Sequence, residues 1–174
     1  MHIICCTRFN NNTYMQNTEW KEKNRYIGCI YNTSIKVPSS ILQNTNMFVL
    51  EMNNDTNKIL GIGLISNFIH LDKYYKIYSD GNYNRYTYKS TYRIDYNELS
   101  LDEKKIINVL EILLFKGSRH SKRGNGIQRI PKWITDNKVF NFLEYIHNLY
   151  KNHFMILTIK IKTKIKLKKI YYNL

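Results

Sequence analysis

Between residues 2 and 96 the apolar positions come in short blocks parted by Asn-rich polar stretches, and from residue 100 they recur at three- and four-residue spacing. The first pattern predicts strands and the second helices. His2 to Thr7 (HIICCT) reads as a buried strand. Polar Asn10 to Asn12 follows, then a short helix within Tyr14 to Trp20 and a strand over Tyr26 to Tyr31. Val37-Pro38-Ser39-Ser40 makes a turn. Met47 to Met52 (MFVLEM) and Ile59 to Ile65 (ILGIGLI) flank Asn53-Asn54-Asp55-Thr56-Asn57, whose residues tolerate left-handed backbone, and this is the clearest hairpin in the chain. Two further strands are expected around Tyr86 and Tyr88 and around Tyr92, Ile94 and Tyr96, after a turn at Ser79-Asp80-Gly81-Asn82.

Ser100-Leu101-Asp102-Glu103 has the form of a capping box, in which hydroxyl and carboxylate satisfy the open amides of a first helical turn. The helix it starts carries Ile106, Leu110, Leu113 and Leu114 on one stripe and stops before Gly117. Val139, Leu143, Ile146 and Tyr150 mark a second amphipathic helix over about Thr135 to Tyr150. The tail alternates almost strictly, with Ile159, Ile161, Ile165 and Leu167 facing away from Lys160, Lys162, Lys164, Lys166 and Lys168, so a lysine-faced strand is expected over about 154–170. The expected organisation is one domain over 1–174, with strands to about 96, helices over about 100–150 and this final strand.

Composition supports a folded chain, with 43% apolar and 14% aromatic residues. Alanine is absent, and Asn, Ile, Lys and Tyr are abundant, the mark of A/T-rich codons. The formal charge is +14, from 27 basic and 13 acidic residues. Part of it follows from codon bias, but a field of that sign attracts phosphates. Nucleic acid, or a nucleotide, is therefore the expected partner. The apolar run Ile106 to Phe115 is too short for a membrane span and is broken by Asn108 and Glu111. Cys5, Cys6 and Cys29 cannot all pair. A soluble, cytoplasmic chain is expected, with no membrane partner. His2, His70, His147 and His153 lack zinc-site spacing, so neither metal nor cofactor is expected.

The segment richest in chemistry is Gly117 to Pro131 (GSRHSKRGNGIQRIP), which sets Arg119, His120, Lys122, Arg123 and Arg129 among three glycines. Glycines let backbone amides approach an anion, and Arg forks add charge-assisted bonds to phosphate oxygens. The segment matches neither G-x-x-x-x-G-K-[ST] nor G-x-G-x-x-G. A solvated interhelical loop is its bland alternative. No nucleophile or orienting carboxylate is tied to His120 by spacing, which argues against catalysis. Trp20 and Trp133 are candidate stacking platforms for a base, since tryptophan's G-rich codon persists here against the bias.

The opening strand HIICCT, Trp20, Gly28-Cys29-Ile30-Tyr31-Asn32, the Pro38 turn and the pair MFVLEMNNDTNKILGIGLI together resemble the PUA-like superfamily, which includes EVE, YTH and ASCH domains. The second half, with Tyr92-Arg93-Ile94-Asp95 and the Gly/Arg loop, resembles short proteins of large DNA viruses with A/T-rich genomes. The resemblance implies an α+β fold, a small mixed β-barrel flanked by helices. It also implies a reader of a modified base or an RNA end, with RNA favoured over DNA. In a virus the location would be the host cytoplasm or a viral factory. By position, Trp20, Tyr31 and Asn32 match the aromatic pocket and Arg8 its mouth, with Arg119, Lys122, Arg123 and Arg129 holding phosphates. Two alternatives stand beside this non-enzymatic reader. One is an ASCH-like ribonuclease using His120 with Lys122 or Arg123, and the other a protein-interaction subunit that binds no nucleic acid.

Overall fold

The computed structural model describes residues 2–155. The lysine-faced strand expected from about 154 falls outside the described residues from 156 on, and residues 154 and 155 are helical. The class is α+β, as the sequence pattern implies. Among the described residues seven strands form: β1 (His2–Phe9), β2 (Cys29–Thr33), β3 (Asn46–Asn53), β4 (Lys58–Ser66), β5 (Tyr86–Ser90), β6 (Arg93–Asp95) and β7 (Gln128–Arg129). Helices α1 (Asn11–Lys23), α2 (Leu101–Phe115) and a short α3 (Lys132–Thr135) join them, and α4 spans 142–155.

Five strands pair in the order β6-β4-β3-β1-β7, and β2 and β5 form a separate antiparallel ribbon. Among the described residues these sheets do not close on each other by hydrogen bonds, so the closed barrel that the resemblance implied is replaced by an open sheet with a ribbon packed on it. The reason lies in β1. It pairs in parallel with β3, from His2 opposite Asn46 to Phe9 opposite Asn53, and its other edge takes only the two residues of β7.

Both faces of the sheet are covered. Ile4, Cys6, Phe48, Leu50, Met52 and Ile62 pack against Ile107, Leu110 and Leu114 of α2 and Ile146 and Leu149 of α4. The alternate residues Ile3, Cys5, Met47, Val49 and Ile65 pack against Ile30 and Tyr31 of β2, Tyr88 of β5, and Tyr75 and Tyr78. Two-sided burial explains why Ile3 to Cys6 are continuously apolar rather than alternating. The three cysteines are buried free thiols.

Several boundaries differ from the sequence expectation. α1 begins at Asn11, because the Asn10 carboxamide accepts from the Thr13 amide at 2.7 Å while the Thr13 hydroxyl accepts from the Asn10 amide at 3.0 Å. Tyr26 stands before β2, which starts at Cys29. The helix expected from Thr135 starts at 142 instead, since Asn137 bonds the amides of Val139 and Phe140 and Asn141 caps the Glu144 amide at 3.1 Å. The Ser100–Glu103 capping box forms as expected.

Candidate ligand-binding cleft

Because β1 and β3 run parallel, their carboxyl ends open on one side of the sheet. That side of a parallel pair is where ligands characteristically bind in open α/β sheets. Here it holds a cleft of about 360 Å³ whose walls include Arg8, Asn32, Asn54, Tyr78, Tyr83 and Gly124.

The Gly/Arg loop forms one wall, and four hydrogen bonds set its position. The Ser121 amide donates to the Leu114 carbonyl at the end of α2, at 2.6 Å. Arg8 Nε, near the end of β1, donates to the Ser121 carbonyl at 2.6 Å. Asn54 Nδ2, just past β3, donates to the Lys122 carbonyl at 2.9 Å. Asn125 Nδ2 donates to Ser34 Oγ at 2.7 Å. Gly124 adopts φ of +138°, and a Cβ there would lie 2.9 Å from Arg8 Cζ and 2.4 Å from Gln128 Oε1. Only glycine lets the turn close over the guanidinium.

Two groups in this cleft have unmet hydrogen-bonding capacity. Arg8 Nη1 and Asn54 Oδ1 are buried and have no partner among the described residues. One is a donor and the other an acceptor, and leaving each unmet costs about 1–3 kcal/mol. The opposite wall is fully satisfied. Asn32 Nδ2 donates to the Tyr75 carbonyl and to Asn84 Oδ1, and Asn32 Oδ1 accepts from Thr87 Oγ1 at 2.7 Å. Asn84 Oδ1 also accepts from the Ile77 and Tyr78 amides, both at 3.0 Å. The exposed ring of Tyr83 meets Tyr78 edge-on, with ring centres 6.2 Å apart.

The residues expected to form a pocket are only partly gathered here. Arg8 and Asn32 line the cleft, although the side-chain bonds of Asn32 are already made within the protein. Lys122 contributes its backbone carbonyl, and the side chain of Arg123 is exposed beside Gly124. His120 is half-buried with Nδ1 lacking a partner among the described residues. Tyr31 cannot stack a ligand, because it is 2% exposed and its hydroxyl donates to Glu51 Oε1 at 2.8 Å. Trp20 is half-buried against Tyr26 and Tyr75, at ring distances of 5.9 Å, and does not line the cleft. Arg129 pairs with Cys5 in β7, with its side chain exposed. Arg119 and Trp133 line a different depression beside the end of α2.

Asn54, Tyr83 and Asn125 are cleft residues that pattern reading assigns only to turns or loops. Among the described residues no group of three or more His, Cys, Asp or Glu side chains could hold a metal ion. Nor is any helix among them long and apolar enough to cross a membrane. Comparison of the chain with family models, with curated proteins and with solved structures gives no match.

Proposed function

We propose that the protein is a non-enzymatic module that binds nucleic acid or a nucleotide in the cleft at the carboxyl ends of β1 and β3. The observation that carries the proposal is Arg8. Its Nε is anchored on Ser121 while Nη1 has no acceptor among the described residues, at a cleft edged by the glycine turn of the basic loop. An anchored guanidinium is oriented before the ligand arrives, so less side-chain entropy is lost when it bonds an oxygen. Asn54 Oδ1 adds an acceptor for a ligand N–H or O–H, and Tyr83 adds an exposed ring. A ligand that displaces the Gly124 turn would reach both unmet groups. The formal charge of +14 draws polyanions toward this surface. Preference for RNA over DNA is part of the proposal and comes from the PUA-like resemblance.

Fluorescence anisotropy with labelled single-stranded RNA and DNA tests it. Binding should weaken as salt rises, and Arg8→Ala should lower affinity at least about tenfold. Arg8→Lys, which keeps the charge but loses the fork, should fall between the two. Asn125→Ala controls for loosening of the loop. Unchanged affinity in Arg8→Ala, or binding insensitive to salt, would overturn the proposal.

A further inference from the structure

Outside the cleft, the end of α2 and the start of α3 enclose a second open depression, of about 370 Å³. Trp133, Ile112, Leu113, Lys116 and Arg119 are among the residues that line it. It shares no lining residue with the Arg8 cleft, but the same loop joins the two, from Arg119 here to Gly124 there.

The two tryptophans differ in their surroundings. Trp20 is packed between Tyr26 and Tyr75. Trp133 is 38% exposed, and no aromatic ring stacks on it among the described residues. Neither Lys116 nor Arg119 makes an ion pair among the described residues, and no acidic side chain lines the depression. A partly exposed indole lining one depression with two cations and two apolar side chains suits a ligand that is flat and aromatic on one side and anionic on the other. An unpaired nucleotide has that form, because its base can stack on the indole while its phosphate meets the Lys and Arg. A base inside a duplex cannot present its face in this way. An acidic peptide would satisfy the cations and leave the ring unused.

We infer that Trp133, with Arg119 and Lys116, is a stacking platform for single-stranded nucleic acid, a second contact on the strand whose other contact is the Arg8 cleft. The inference rests on the nucleic-acid reading above and adds the conformation of the partner.

Intrinsic fluorescence tests it, since the chain has two tryptophans. In Trp20→Phe, with excitation selective for indole, the remaining tryptophan emission is that of Trp133. A single-stranded 12-mer should quench it saturably, and a duplex of the same nucleotide concentration should not. By anisotropy, Trp133→Ala should weaken binding of the single strand about 5- to 150-fold, the range for loss of one stacked base. Trp133→Phe should lose less, and duplex affinity should stay unchanged in both. Single-strand binding without quenching, or with Trp133→Ala at wild-type affinity, overturns the platform and leaves the cleft standing. Equal quenching by duplex or by oligo-glutamate also overturns it, as a surface that responds to charge alone. No oligonucleotide binding by the wild-type chain overturns both readings.

Discussion

Arg93 clasps Glu51 across the intervening strand β4, with Nη2 to Oε2 at 2.7 Å and Nε to Oε1 at 2.9 Å. β4 has room for the clasp because Gly61 and Gly63 carry no side chains there. A Cβ at Gly61 would lie 2.6 Å from Arg93 Nη2, and one at Gly63 would lie 2.1 Å from the Tyr31 hydroxyl. The register of β4 shifts at the same place, where Leu50 pairs with Ile62 but Met52 pairs with Ile59, so Leu60 and Gly61 together face Glu51. Asp95 completes the set, accepting from Arg93 Nη1 at 2.9 Å.

The pair is nearly out of solvent, with side-chain exposures of 10% for Arg93 and 3% for Glu51. Removing one partner strands a buried charge, so Arg93→Met should cost about 3–5 kcal/mol. Replacing both charges, in Glu51→Leu with Arg93→Met, should recover most of that loss. Urea midpoints of the two variants against wild type measure both effects. A single variant as stable as wild type would show that the charges are solvated.

Gly63→Ala should destabilise by about 1–3 kcal/mol, as overpacking of a filled core does. The clash is with the Tyr31 hydroxyl and with Cys29 Sγ at 2.6 Å. Tyr31→Phe removes the hydroxyl, so it should cost less in the Gly63→Ala background than in wild type. A double-mutant cycle of melting temperatures reads this coupling, and strict additivity would refute the contact.

The thiols set an alkaline limit. Burial, reinforced by neighbouring Cys6, pushes Cys5 up to about 12, and burial with nearby Glu51 pushes Cys29 up to about 12. An unfolded cysteine ionises near pH 8.5, roughly. The folded state therefore keeps its full advantage below about pH 8.5 and loses it as pH rises toward 12. Denaturation midpoints should fall from pH 8 to pH 10. At pH 8 a thiol reagent should label the chain only in denaturant, and rapid labelling of the native chain would contradict the burial.

Asn84 holds the far wall of the cleft. Its carboxamide accepts from two backbone amides and from Asn32, and donates to the Tyr78 carbonyl at 2.7 Å. Asn84→Ala leaves these groups unmet and should cost at least about 1–3 kcal/mol. It should also weaken oligonucleotide binding, by freeing Asn32 and Tyr78. Asn84→Asp keeps the acceptor and should cost less, which thermal melts compared with anisotropy will resolve.

Sequence pattern reveals the features whose causes are local. The hairpin around Asn53–Asn57 and the Ser100 capping box are encoded within a few residues and form where the pattern puts them. Apolar spacing puts the start of α4 too early, because Asn137 and Asn141 compete with the helix through side-chain bonds that such spacing does not register. Tyr31 and Trp20 show a second limit. An aromatic side chain in a strand or helix looks the same in sequence whether it faces a ligand or the core, and Glu51 and Tyr75 decided the matter from distant parts of the chain. Arg8 is assigned to a pocket mouth by the resemblance alone, and its anchor at Ser121, 113 positions away, leaves no signal in the sequence.

The placement of β1 governs the order in which this chain can assemble. Its first eight-residue strand lies inside the sheet, and its second neighbour, β7, comes more than 120 positions later. During synthesis β1 can dock on β3 early, but its free edge stays open until residues 128 and 129 leave the ribosome. An apolar strand with an open edge is a template for intermolecular pairing. Two residues of β7, drawn in by the Ile130 amide on the Ile4 carbonyl at 3.2 Å, close that edge. Chains truncated before Gln128 should aggregate, whereas the full chain, which also carries the α4 residues that cover the sheet, should not.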